Sequence, residues 1–222
     1  MHGRKYKNAA ATCSVVFANS AFTADDFAST LSFPRERVLV ATPGIGADYT
    51  AEGPIAELGG EYLLTVATLE PRKNLGTLVD AFALLADSGL SLVVAGGSGW
   101  GEQPELDRPG IVRLGRVTDD ELARLYRGAA ALVLPSRHEG FGVPVIEAMA
   151  SGTPVVLSAD PALREVAGDA AMYADDGDIA GALERALVDR ERLVSAGLER
   201  ARLFTWESTA RSTAEVYRQV LA

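Results

Sequence analysis

Cysteine is nearly missing from this chain. A single residue among 222, Cys13, excludes an internal disulfide, and with only His2 and His138 beside it a zinc site of nitrogen and sulfur ligands has almost nothing to be built from. Cys13 is therefore expected to be a small core residue. Lysine is scarce as well: 18 arginines stand against three lysines, and with Lys5 and Lys7 at the start, Lys73 is alone in the body of the chain. No run approaches the roughly 18 apolar residues that cross a membrane, and the first ten residues lack the apolar centre of a signal peptide. The cytosol is the default compartment. A formal net charge of −9 gives no broad attraction to nucleic acid or anionic lipid. No Gly-Lys dipeptide occurs, which excludes a Walker-type phosphate loop.

What remains is a globular composition, 48% hydrophobic and 23% charged, sufficient for one large domain or one domain with a piece of another. From residue 62 onward short apolar runs alternate with helical patterns, which predicts an α/β fold: a Rossmann-like parallel sheet with helices on both faces. Strands are expected at 62–67, 90–95, 111–114, 131–134, 155–157 and 171–173. Leu75, Leu78, Val79, Phe82 and Leu85 recur at helical spacing and give one apolar stripe. Thr118-Asp119-Asp120-Glu121 has capping-box spacing, with Leu122, Leu125 and Tyr126 packing behind it. After Tyr173 the pattern is helical over 179–188, 190–203 and 206–221. Residues 1–58 hold a strand, helix and strand of their own at 13–18, 24–31 and 38–41, a short α/β remnant too small to bury a core alone. Residues 47–60, with Gly53, Pro54, Gly59 and Gly60, read as a linker.

The densest chemistry lies in Ser136-Arg137-His138-Glu139-Gly140-Phe141-Gly142-Val143-Pro144-Val145-Ile146-Glu147. A strand runs into it, and Pro144 suits the first turn of the helix that follows. The loop thus leaves a strand's carboxyl end, where open parallel sheets bind ligands and a helix N-terminus attracts phosphate. Glutamates eight residues apart also occur at Glu191/Glu199, Glu199/Glu207 and Glu207/Glu215, but those read as solvated helix faces. A carboxylate's two acceptor oxygens suit a vicinal diol. As acid and nucleophile of a glycosidase the pair is less apt, since its glycines favour phosphate. His138 reads equally as packing, surface or functional. Lys73, in Thr68-Leu69-Glu70-Pro71-Arg72-Lys73, also follows a strand and either meets a diphosphate as a compact charge or is a solvated helix-start lysine. Gly96-Gly97-Ser98-Gly99-Trp100-Gly101 either admits a phosphate or sugar to its backbone or is a flexible loop. Glu102 stands where a dinucleotide fingerprint needs glycine, and Trp100 where a nucleophile elbow does.

The segment from Ser136 through Pro154 resembles the Glu-x7-Glu signature of retaining nucleotide-sugar glycosyltransferases of the GT-B fold. This is the family 4-like, group 1 set that includes bacterial mannosyl- and glucosyltransferases and sucrose and glycogen synthases. The similarity runs from about Val15 to the C-terminus. It implies that residues 1–58 are the end of an acceptor domain and the interdomain linker, 59–205 the donor-binding domain, and 206–222 a helix packing back towards the N-terminal part. By the same resemblance Lys73 and Arg72 form the diphosphate clamp, although Thr68 stands where many members carry a further arginine. Glu139 then binds hydroxyls of the transferred sugar. Gly140, Phe141, Gly142 and Val143 face sugar and phosphate through their backbone, Gly97 and Ser98 lie near the donor, Val117 lies near the base, and Glu147 accepts the ribose hydroxyls.

The implied reaction transfers a hexose of mannose, glucose or rhamnose type from a GDP-, UDP- or dTDP-linked donor to an acceptor hydroxyl, with no metal or other cofactor. Most of the acceptor domain is expected to be missing, so the chain alone should bind donor, transfer poorly and self-associate through apolar surface near Val15, Phe17 and the Trp206 helix. Nucleic acid is not an expected partner, and membrane association would come only through the missing domain. A non-catalytic sugar-nucleotide-binding or assembly module working with a partner chain is the rival, and a dehydrogenase a distant third.

Overall fold

The first residues form a helix, α1 (His2–Thr12), that no apolar stripe announces. In this computed structural model, which describes residues 2–85, 88–101, 104–174 and 178–221, it is followed by β1 (Val16–Ala18), α2 (Ala21–Leu31) and β2 (Val38–Val40). β1 and β2 pair in parallel with Val16 opposite Val38. α2 begins at the buried Ser20, whose hydroxyl accepts the Thr23 N–H at 3.0 Å and so satisfies one of the helix's open donors. Ala18, Ala24, Ala28, Phe33 and Val38 make a small core. Cys13 is not part of it. The expectation of a core residue is corrected, because the strand starts at Val16 and Cys13, its N–H bonded to Ala9 at the end of α1, is exposed.

Six further strands form one parallel sheet: β3 (Tyr62–Val66), β4 (Ser91–Ala95), β5 (Ile111–Gly115), β6 (Ala131–Leu134), β7 (Val155–Ser158) and β8 (Met172–Ala174). The α/β reading holds, with each end of these six strands within one residue of its expected place. β6 is buried at each position because its Ala-Leu-Val-Leu run offers no polar face, as parallel sheets covered on both sides require. Leu63, Leu64, Leu92 and Leu132 are fully buried, each contributing about 1.5–3 kcal/mol of transfer free energy.

The flanking helices are α3 (Leu75–Ala83), α4 (Asp119–Gly128), α5 (Val143–Ala150), α6 (Pro161–Ala167), α7 (Ile179–Val188) and α8 (Arg190–Ala201). α3 buries the expected stripe of Leu75, Leu78, Val79 and Phe82 in a core shared with Ile179 and Leu183 of α7. The Thr118 capping box is present, with Thr118 N–H on Glu121 Oε2 at 2.7 Å. α6 was not expected; Asp160 caps it by accepting the N–H groups of Ala162 and Leu163, and Pro161 occupies its first turn.

Strand order in the sheet is β5-β4-β3-β6-β7-β8. The chain lays down β3, β4 and β5 in one direction, then returns to the other side of β3 with β6. The β3/β6 pair, with Leu63 opposite Ala131, is therefore the topological switch point, and ligands in open sheets bind beyond the carboxyl ends of such a pair.

Contacts divide the chain into two units, Met1–Gly44 with Phe204–Ala222, and Ile45–Leu203. The N-terminal stretch of the first unit thus ends at Gly44, just before the 47–60 stretch read as a linker. Much of the stretch read as a linker is fastened to α4 instead: Arg127 donates to the carbonyls of Asp48, Thr50 and Pro54, and Ala56 N–H bonds to the Arg124 carbonyl. The last helix, α9 (Trp206–Leu221), groups with the first unit, where Thr209 Oγ1 donates to the Thr42 carbonyl at 2.6 Å and Tyr217 tilts against Phe17. No helix among the described residues is long and apolar enough to cross a membrane.

Candidate functional site

The loops leaving β3 and β6 are stitched to each other at the switch point. After β3 the chain makes a short 3-10 turn, Pro71–Lys73, and Asn74 adopts a left-handed conformation, φ 54°, at the start of α3. Asparagine tolerates that region better than most residues. The turn of the chain at Asn74 lets its side-chain amide donate to the Pro135 carbonyl at 3.1 Å, while Arg137 N–H donates to the Arg72 carbonyl at 2.8 Å. Arg72 and Lys73 are thereby held against the loop that carries Glu139.

Glu139 is only 6% exposed, and a carboxylate so far from water needs opposite charge and hydrogen bonds. It has both. Lys73 Nζ lies 2.5 Å from Oε1 and Arg72 Nη1 lies 3.2 Å from Oε2. Arg72 is shared, since its Nε donates to Glu70 at 2.8 Å and its Nη1 reaches the His138 carbonyl at 3.4 Å. Thr68 Oγ1 donates to the other Glu70 oxygen at 2.9 Å; this hydroxyl, followed by Arg72, holds the Glu70 carboxyl below its usual range. The Glu139 backbone is fixed separately, its N–H directed at Asp160 Oδ2 at 3.3 Å while Oδ1 of Asp160 caps α6. Thr68, Glu70 and Asp160 were not anticipated as members of the site. Asp160-Pro161 carried a legible sign, an N-cap aspartate before an N1 proline.

α5 begins at Gly142, φ 93°, where a Cβ would meet Leu163 Cδ2 at 2.6 Å, so both backbone and space demand glycine. Phe141 beside it is buried and Val143 exposed. One turn further along, Glu147 meets phenols rather than cations. Tyr126 of α4 donates to Glu147 Oε2 at 3.0 Å, and Tyr49, packed edge-to-face on Tyr126, acts on the same carboxylate. Burial pushes the Glu147 carboxyl above its ordinary range, the charge of Asp119 adds to this, and the two phenols oppose it. The structure thus places Arg72, Lys73 and Glu139 in one ion cluster and Glu147 in a separate phenolic one.

The glycine loop after β4 has a structural reason. Gly96, φ 141°, would place a Cβ 2.0 Å from the Ala67 carbonyl oxygen, and Gly99 one 2.2 Å from that of Leu69, so both glycines let the β3 and β4 loops touch. Gly97 is different. Its carbonyl accepts the Leu69 N–H at 3.2 Å, and a Cβ there would meet only the Arg116 side chain at 3.6 Å. Ser98 accepts from Arg113 of β5 at 3.3 Å. Val117 sits half-buried in the turn just before the Thr118 cap. Among the described residues no group of three or more His, Cys, Asp or Glu side chains could hold a metal ion.

Residues 60–189 match the family model described as glycosyl transferases group 1. O-antigen chain mannosyltransferase B of Escherichia coli is 32% identical over 92% of this chain and 60% of its own length. D-inositol 3-phosphate glycosyltransferase of Frankia alni is 36% identical over 84% of this chain and 54% of its own. The chain therefore spans little more than half the length of these relatives. Among solved structures, sucrose-phosphate synthase from Thermosynechococcus elongatus superposes with a TM-score of 0.78 at 25% identity, over 93% of this chain and 58% of that one. HepE of Anabaena, solved in complex with UDP and glucose, gives 0.81 over 95% and 65%; at 18% identity the likeness concerns the fold alone.

Proposed function

Because the chain belongs to the group 1 glycosyl transferases, we propose that its Ile45–Leu203 unit binds a nucleoside-diphosphate sugar beyond the carboxyl ends of β3 and β6. The convergence of Lys73 and Arg72 on buried Glu139 at the switch point carries this reading. Two cations already held in place take up the charge of a diphosphate with little reorganisation, which is how preorganised electrostatics lower a barrier. An arriving diphosphate would share Lys73 and Arg72 with Glu139 and meet the N-terminal end of α5, where the helix dipole favours negative charge. Glu139 would then direct the sugar hydroxyls, and the backbone from Gly140 to Val143 would line sugar and phosphate. Glu147 would accept the two ribose hydroxyls, with Gly97, Ser98 and Val117 nearer the rest of the nucleotide.

On these roles the complete enzyme moves a hexose to an acceptor hydroxyl with retention at the anomeric carbon. Mannose is the first sugar to try, since the E. coli relative is an O-antigen chain mannosyltransferase. Transfer needs the acceptor hydroxyl within about 3–3.5 Å of that carbon. We assign the holding of the acceptor to a separate domain, for which the longer relatives have the length. Binding measurements on two variants test the division of labour between the glutamates. Glu147→Gln is expected to weaken free nucleoside diphosphate and nucleotide sugar alike, and Glu139→Gln chiefly the sugar-bearing ligand. Equal losses for both ligands in both variants would remove the separate roles.

A further inference from the structure

We infer that Tyr126 is a positioning residue for Glu147, fixing its carboxylate in the orientation that receives a vicinal diol; this rests on the ribose role given to Glu147 above. The phenol can serve as a fixed post because it has no freedom of its own. Its ring is fully buried, Tyr49 packs against it edge-to-face with centroids 5.8 Å apart, and its backbone carbonyl accepts the Thr153 hydroxyl at 2.5 Å. It lies on α4, whose N-terminus the Thr118–Glu121 capping box secures. From that post the hydroxyl donates to Glu147 Oε2 at 3.0 Å.

A carboxylate offers about four lone-pair sites, and occupying one of them sets the plane in which the others point. An unheld glutamate would lose its rotamer freedom only when the ligand arrived, at a cost to affinity. Burial drives the Tyr126 phenol well above its ordinary range, so it stays a protonated donor. The opposite assignment is that Glu147 merely satisfies a buried phenol, as buried tyrosines generally require. The two roles differ in what removing the hydroxyl does to ligand choice. A structural role changes stability; a positioning role changes the preference for ribose over deoxyribose.

The experiment is calorimetric titration of the 222-residue chain with GDP and 2′-deoxy-GDP and with UDP and 2′-deoxy-UDP, for the wild type, Glu147→Gln, Tyr126→Phe and Tyr49→Phe. Thermal melts verify that each variant is folded. The wild type is expected to prefer the ribo form at least about tenfold, the lower end for one charge-assisted hydrogen bond. Glu147→Gln should abolish that preference. Tyr126→Phe should reduce it at least threefold, with a smaller loss for the deoxy nucleotide, which keeps only the 3′-hydroxyl, and Tyr49→Phe should have a smaller effect in the same direction. A wild type without ribo preference, or a Glu147→Gln variant that keeps it, overturns the ribose role and this inference with it. If Glu147→Gln abolishes the preference and a folded Tyr126→Phe retains it, the ribose role stands and the positioning role is wrong. Should Tyr126→Phe fail to fold, Tyr49→Phe decides alone, with a retained preference counting against the inference.

Discussion

Lys73→Ala is expected to weaken nucleoside-diphosphate binding by about ten- to a hundred-fold, the loss of one charge-assisted hydrogen bond of about 1.5–3 kcal/mol. The same change has a second effect that can be read apart from the first. Lys73 is the closer of the two cations on Glu139, and its side chain is 11% exposed, so alanine leaves a buried carboxylate with Arg72 as its remaining cation. Loss of stability by about 1–3 kcal/mol should follow, since an undercompensated buried acceptor retains its desolvation penalty. Adding Glu139→Gln removes that charge and should recover much of the stability without recovering affinity for the free diphosphate. Denaturant titration and calorimetry on the single and double variants test both parts. If affinity is unchanged in Lys73→Ala, the lysine serves only to neutralise Glu139.

Gly96→Ala is expected to be among the most destabilising single changes in the Ile45–Leu203 unit, and Gly97→Ala one of the mildest. At Gly96 a Cβ meets a backbone oxygen at 2.0 Å with φ at 141°, and neither strand can yield without loosening the β3/β4 ladder. Strain and overpacking together come to about 2–6 kcal/mol, or a Tm lower by about 5–20 °C in a chain of this size. At Gly97 the nearest atoms lie 3.6 Å away on the flexible Arg116 side chain, so the fold should tolerate a methyl. Gly97→Ala therefore isolates the binding question. A drop in donor affinity with unchanged melting assigns Gly97 to the donor site, and unchanged affinity confines the glycine loop to its structural task.

Most strands of the six-stranded sheet are legible in the sequence as apolar runs with glycine, proline or a helix cap close behind, as at Ala131–Leu134 ahead of Pro135. α1 is not legible: His-Gly-Arg-Lys-Tyr-Lys-Asn gives no periodic apolar face. α6 escapes for another reason, since seven residues are too few for periodicity and only Asp160-Pro161 marks its start. In the site, Arg72, Lys73 and Glu139 can be picked out by residue type and position after strands, but their pairing across 66 and 67 residues of sequence is a tertiary fact. Thr68 and Glu70 join that cluster through contacts two residues apart, and Asp160 through its bond with the Glu139 N–H, which its legible N-cap role does not reveal. Tyr126 shows the limit most clearly. Its helical register places it correctly in the core behind the capping box, yet the hydroxyl that reaches Glu147 is invisible to an apolar pattern. Tyr49, in a stretch rich in linker residues, is hidden in the same way.

The most direct measurement is calorimetric titration of the folded 222-residue chain with UDP, GDP, ADP and dTDP. Binding of at least one of them, weakened by Lys73→Ala and by Glu147→Gln, is the predicted result. No binding of any of the four at millimolar concentration, by protein whose melting curve shows it folded, would contradict a donor site at the β3/β6 edge.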